Sequence, residues 1–260
     1  MGVWLGPTIG KMIARGYSFS GQSEYKESGE NWEIALKTSG TFRFKAKVDA
    51  IDIFLVGGGS DGGEGTYESE TASARGGTGG NGGAYKTESN VSVSKGTDYA
   101  IVIGSAGQNS TMTCSSIGFV KTSSGGTVKS GGAGAGASHN SATGSYAAGG
   151  GTNGTKAFGE SGTLIGGNTI YASSGAGGAA ASASGSNYVV GSAGTGGTGA
   201  GSGGTASPYD GGSCTNGSAA ITPGSGGGGA GAYEKNYARV TAGVGAGAPG
   251  IIIIRNHRSS

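Results

Sequence analysis

The residues best equipped for recognition chemistry are Tyr146, Tyr171, Tyr188, Tyr209, Asp210, Tyr233 and Tyr237, each set among small residues that offer little apolar mass to bury a ring. Tyrosine presents a flat apolar face and a hydrogen-bonding tip, which suits sugar rings and protein surfaces. The same rings also suit local packing over the ends of a small-residue scaffold, and sequence leaves both roles open. Catalytic chemistry is poorly served. His139 is the only histidine outside the C-terminal tail, no nucleophile-elbow motif accompanies the serines, and Glu68, Glu70, Asp210 and Glu234 are scattered. Cys114 and Cys214 have no Cys-x-x-Cys spacing and only His139 and His257 to join them, so no zinc site is expected, while a disulfide stays open. Gly57-x-Gly59-x-x-Gly62 follows an apolar run and imitates a dinucleotide fingerprint, but the pattern recurs at Gly149-x-Gly151-x-x-Gly154 and no amphipathic helix follows either. Gly6 to Met12 fails as a phosphate loop in spacing and in its final residue. The expectation is a non-enzymatic protein with no cofactor and no metal.

These residues need a scaffold, and composition says what kind. Of 260 residues 63 are glycine and only 4 proline, which rules out a collagen helix. A net charge of +2 gives no electrostatic case for nucleic acid. Glycine content alone favours disorder, because glycine loses the most backbone entropy on folding. Against this stand Ile51 to Val56 and Ile251 to Ile254, apolar runs that would aggregate if left unpaired. No stretch is long and apolar enough to span a membrane, and Met1 to Pro7 lacks the basic and apolar regions of a signal peptide, so synthesis in the cytoplasm without a leader is expected.

The apolar runs define a small antiparallel β frame with little α-helix. Trp32, Ile34 and Leu36 alternate with polar neighbours, as do Phe42 and Phe44, and three strands are expected between residues 31 and 56. Residues 84–93 and 99–103, separated by Lys95-Gly96-Thr97-Asp98, read as a hairpin. Ile117 to Val120 adds a short strand, and the β-branched run after Gly250 returns to the frame over 250–256. Residues 1–30 lack periodicity and read as a lead-in or attachment segment preceding a glycine-rich domain over 31–260.

Between the frame segments, over 57–83 and 121–249, glycine recurs in a partial three-residue rhythm, most regularly in Gly76 to Gly83 and again in Gly224 to Gly231. Period three is that of the extended polyproline-II turn, and glycine on its faces lets backbones approach closely enough to bond one another. The fold expected is therefore mostly β and irregular, with a β frame joined to a stack of polyglycine-II helices. The segments 66–75, 138–148, 184–190, 205–221 and 233–241, richer in tyrosine, asparagine and charge, read as loops between rods.

Phe42 to Gly59, Gly76 to Ile103 and Gly247 to Arg258 resemble the glycine-rich domain of bacteriophage and prophage tail proteins, with Phe54-Leu55-Val56-Gly57-Gly58-Gly59 opening the first glycine run and Gly250 to Arg255 closing the chain. In organisation the sequence is similar to tip adhesins of T-even-type tail fibres, in which loops on a polyglycine-II sandwich recognise the host. The resemblance implies a virion protein of the tail fibre or baseplate, bound to other tail proteins through its N-terminal segment. Its other partner would be a bacterial surface receptor, protein or glycan, met by the loops. The seven residues named at the outset are the candidate receptor contacts. A purely structural tail or baseplate component is the alternative, and an ice-binding protein a more distant one.

Overall fold

The computed structural model describes residues 16–68, 73–126, 131–132, 136–138, 147–184, 187–207, 212–235, 238–258. Among them the chain is mostly β and irregular, in several open sheets with only two short 3-10 turns. Two five-stranded antiparallel sheets make the frame. One runs Tyr17–Phe19, Gly40–Phe44, Asp98–Val102, Ser110–Cys114, Phe119–Ser123 across its width. The other runs Ser23–Ser28, Asn31–Leu36, Ile251–Asn256, Ile51–Val56, Tyr85–Val91. The closing strand therefore sits between the two early ones, with Ile253 opposite both Ala35 and Phe54.

The apolar pattern explains this arrangement. Phe42, Phe44, Tyr99 and Met112 of the first sheet meet Ile34, Leu36, Ile53, Leu55, Ile252 and Ile254 of the second in one core. The reverse face of the second sheet is covered too: Phe54, Val56, Ile251 and Ile253 pack on Phe158 and Tyr171. A sheet buried on both faces needs apolar residues at successive positions, which is why Ile51–Val56, interrupted only by Asp52, and Ile251 to Ile254 are apolar runs while Gly40–Phe44 alternates. Each such Ile, Leu or Phe contributes about 1.5–3 kcal/mol by leaving water.

Three features depart from the sequence expectation. Tyr85–Val91 and Asp98–Val102 do not form a hairpin; they pair into different sheets, and the turn between them arches across the sandwich. Tyr17–Phe19 and Ser23–Ser28, inside the expected lead-in segment, are edge strands of the frame. Ser115–Ile117 is a 3-10 turn, with the strand following it at Phe119–Ser123.

Among the described residues four long arms can be followed away from the frame, each going out and returning antiparallel. In the first, Gly57, Ser60 and Gly63 donate to the carbonyls of Ala84, Asn81 and Thr78, and the same register continues as a β ladder at Thr66–Glu68 against Ser73–Arg75. In the second, Gly197, Gly194 and Gly191 donate to Ser174, Gly177 and Ala180, continuing into Ala180–Ser184 against Asn187–Val190. In the third, Ile221, Ser218 and Thr215 donate to Gly199, Ser202 and Thr205, ahead of Ala206–Ser207 against Ser213–Cys214. In the fourth, Ala248, Gly245 and Ala242 donate to Ser225, Gly228 and Gly231, ahead of Ala232–Lys235 against Ala238–Thr241. Of the regions expected to be loops between rods, 66–75, 184–190, 205–221 and 233–241 thus carry antiparallel strand pairs that prolong the rods, while 138–148 lies mostly outside the described residues.

Within an arm only every third residue bonds its own return limb, so the remaining groups bond other arms. Gly226 and Gly229 donate to Ser173 and Ala176, Gly227 and Ala230 to Ser60 and Gly63, and Gly228 and Gly231 to Ser218 and Thr215. Their carbonyls accept, in the same alternation, from Gly201 and Gly204, from Gly80 and Gly77, and from Gly245 and Ala242. Three segments receive and three give, so Gly226 to Gly231 is enclosed by six neighbours with its buried backbone groups paired. Glycine is required for closeness: a Cβ at Gly226, Gly227, Gly228 or Gly229 would lie 2.1, 1.9, 1.8 or 2.1 Å from a neighbouring carbonyl oxygen. Where serine replaces glycine its hydroxyl serves the same end, as when Ser174 Oγ accepts from the Thr152 N–H at 2.8 Å.

Candidate functional site

The four hairpin stems lie at the end of the arms away from the frame, because each arm leaves and rejoins the frame side and turns at the other. There they stack in layers. Thr66–Glu68, Ser73–Arg75 and Gly136–Ser138 form a three-stranded sheet. It lies against a four-stranded sheet of Asn187–Val190, Ala180–Ser184, Ala232–Lys235 and Ala238–Thr241, and the pair Ala206–Ser207 with Ser213–Cys214 lies against that. The central strands Ala180–Ser184 and Ala232–Lys235 are parallel, inheriting the direction of the glycine segments that feed them. Alanine dominates the layer contacts: Ala74, Ala180 and Ala232 meet on one side, and Ala179, Ala181 and Ala206 on the other. Small side chains keep the sheets near the close spacing set by the rods.

Tyr233, 1% exposed, fills the second of these contacts, and Gly212 makes room for its ring, since a Cβ there would lie 1.7 Å from the ring. Tyr171, 4% exposed, packs at the frame with its centroid 5.5 Å from that of Phe54. Burial raises the Tyr171 phenol above its ordinary pKa, partly offset by a hydrogen bond with Thr169. Both rings occupy the packing role that sequence had left open beside binding. The backbone of Tyr188 pairs with Ala183 in the four-stranded sheet. Tyr146, Tyr209, Asp210 and Tyr237 lie outside the described residues, as does His139. The structure thus brings the stems flanking these candidates to one end, and separates Tyr171 from them.

Sequence reasoning missed two groups at this end. Tyr67, half-buried, carries the exposed Arg239 guanidinium 5.5 Å from its ring centroid. Burial raises the Tyr67 phenol, with Thr241 bonded to it as a smaller opposing effect. Val190 and Val240, on the two edge strands of the four-stranded sheet, are exposed. The signal for them was the alternation in Ala238-Arg239-Val240-Thr241, overshadowed by the surrounding glycine. Burial pushes the Cys214 thiol up to about 11, which disfavours its thiolate, and Cys114 is buried in the frame, both of them free.

A second cluster of ionisable groups sits on the closing strand. Asp52, 1% exposed, accepts from Arg255 Nε at 3.1 Å and from the Asn90 backbone at 3.1 Å, and bonds His257 Nδ1 at 2.7 Å. Arg255 also grips Glu160 through both terminal nitrogens, at 2.9 and 3.1 Å, and lies 4.0 Å over the Phe158 ring. Glu33 accepts from the Ile165 N–H at 2.9 Å and from Arg258 at 3.2 Å. Burial alone would raise the Asp52 carboxyl, but His257, Asn90 and Arg255 together hold it below the usual carboxylate range. These bonds tie the covering segment around residues 158–165 to the sheet and leave the network's charges engaged with one another. Among the described residues no group of three His, Cys, Asp or Glu is placed to hold a metal, and no helix is long and apolar enough to cross a membrane.

The arrangement can display polypeptide at one end of a rigid, hydrogen-bonded block and offers no assembled catalytic constellation among the described residues. No curated protein matches the chain. Residues 36–257, from the frame strand ending at Leu36 to the close of the final strand, match the glycine-rich domain, and the chain belongs to that family.

Proposed function

We propose that this chain is the receptor-recognition domain of a bacteriophage tail fibre or baseplate, a non-enzymatic adhesin whose arms form a polyglycine-II stack. The observation that carries the reading is the gathering of all four hairpin stems at the end opposite the frame. A rod whose N–H groups address three neighbours in turn, repeating every third residue, is what a threefold extended helix requires. Such a rod is rigid, has no room for side chains inside, and keeps chemical variety for its ends. The sequence between the stems supplies that variety: residues 69–72, 185–186, 208–211 and 236–237, with 139–146 following Gly136–Ser138, include Tyr146, Tyr209, Asp210 and Tyr237. With Tyr188 in a stem, these are the proposed contacts for a bacterial surface protein or glycan.

The test is binding of labelled, folded protein to a panel of bacterial strains and purified surface glycans. Exchanging residues 139–146, 208–211 and 236–237 for Gly/Ser segments of equal length should abolish selective binding while leaving the unfolding temperature nearly unchanged. Failure of the folded parent to bind any strain or glycan would favour a structural tail component.

A further inference from the structure

The two frame sheets are bonded to each other along the side of Tyr85–Val91 and Phe119–Ser123. There Lys121 pairs with Glu88, the Ser123 hydroxyl donates to the Ala84 carbonyl at 2.8 Å, and the Ala84 N–H donates to the Ser124 carbonyl at 2.8 Å. On the opposite side, between the edge strands Tyr17–Phe19 and Ser23–Ser28, a cavity of about 170 Å³ opens, lined among others by Tyr17, Tyr25, Trp32, Phe44, Lys47 and Val48. Tyr17 and Phe44 are buried and form its floor, while Tyr25 and Trp32 are half-buried and face the opening. The Tyr25 ring stacks on Tyr17 at 6.0 Å and 27°, giving a flat platform.

The rim is polar. Tyr25 donates its hydroxyl hydrogen to Glu27 Oε2 at 2.7 Å, and Lys47, 86% exposed, lies 3.4 Å from Asp49. A water's share of liquid volume is about 30 Å³, and drug-sized ligands need roughly 300 Å³ or more, so the cavity has room for one ring. Aromatic faces beneath and charged donors and acceptors above match a ring that is apolar on its face and hydroxylated at its edge. We infer that this cleft is a saccharide subsite taking a single pyranose ring, in the frame and independent of the hairpin tips. A purely apolar guest would use the platform and leave the rim idle.

The experiment uses the full chain with Trp4→Phe, so that Trp32 is the sole tryptophan. Methyl glycosides of glucose, galactose and N-acetylglucosamine are titrated to tens of millimolar, reading Trp32 emission and saturation-transfer NMR. The expected result is a saturable, stereoselective response to at least one sugar, weakened roughly tenfold by Lys47→Ala with an unchanged unfolding temperature. Tyr25→Ala should abolish it. No saturable response to any of the three from the folded protein, or a response that both variants leave untouched, overturns the assignment.

Discussion

Replacing Gly228 by alanine tests the packing of the arms most directly. A Cβ there would lie 1.8 Å from the Ser202 carbonyl oxygen and 2.5 Å from its carbon. Carbon and oxygen in contact settle near 3.3 Å, so the third and fourth arms must part by roughly 1.5 Å. That displacement takes the Gly201→Gly226 and Gly204→Gly229 bonds, 2.9 and 2.8 Å long, beyond bonding distance in a region closed to water. At about 1–3 kcal/mol for each buried pair left unmade, the cost is roughly 2–6 kcal/mol. Gly150 is the control. Its nearest foreign atom is the Thr195 carbonyl oxygen at 3.4 Å, an ordinary contact, and its φ is not positive. Alanine there restricts the unfolded chain and should add about 0.4–1 kcal/mol. In a chain of this size a kcal/mol moves the Tm by about 2–4 °C, so Gly228→Ala should lower it by roughly 5–20 °C while Gly150→Ala leaves it level or slightly raised. Calorimetry of the two variants decides the matter: equal Tm values would mean that close approach does not confine the rods to glycine.

Two further outcomes follow from the ionisable groups. Asp52→Asn strips Arg255 and His257 of their shared buried partner and should cost about 3–5 kcal/mol in urea unfolding. The Asp52 pKa is lowered in the folded state, so its contribution is fully present above the unfolded value of about 3.9 and is lost as pH falls through the lower folded value; the variant should accordingly show a flatter loss of stability below about pH 4. Cys214, with its thiol pushed up to about 11, should react with iodoacetamide at pH 8 on the order of a hundredfold more slowly than a free cysteine of pKa about 8.5. Comparable rates would show that the half-buried thiol is not held protonated.

The frame was legible in the sequence because its strands carry the side chains that define it. The alternation of Phe42 and Phe44 with polar neighbours and the run Ile51–Val56, apolar but for Asp52, report one-sided and two-sided burial directly. Pairing was less legible: Lys95-Gly96-Thr97-Asp98 turns a chain whether the flanking strands share a sheet or face each other across a core, and the choice is made by distant partners such as Phe42 opposite Tyr99 and Thr87 opposite Phe54. The tyrosines show the same limit. Around Tyr171 and Tyr233 most neighbours in sequence are small or polar, Ile170 apart, which implies exposure, yet Phe54 buries one and Gly212 makes room for the other. Glycine runs gave the period but not the neighbours, since a segment without side chains does not distinguish among equally spaced partners.

Register in this molecule is consequently set at the ends of the arms. Along each arm the pairing offset is constant from the rod into the β stem, as in Gly57 with Ala84, Gly63 with Thr78 and Thr66 with Arg75. The ladder alternates between two faces, while the rod distributes successive residues among three directions. One residue inserted within Gly226 to Gly231 would move everything beyond it one step around this alternation and hand N–H groups meant for Ser60 and Gly63 to the segment at Ser218 and Thr215. A residue inserted at 208–211 or 236–237 lies beyond the described pairs Ser207 with Ser213 and Lys235 with Ala238 and shifts no bond in the rods. The close packing that forbids side chains along the arms therefore also fixes their length, and it directs change in both composition and length toward the one end where the chain turns back.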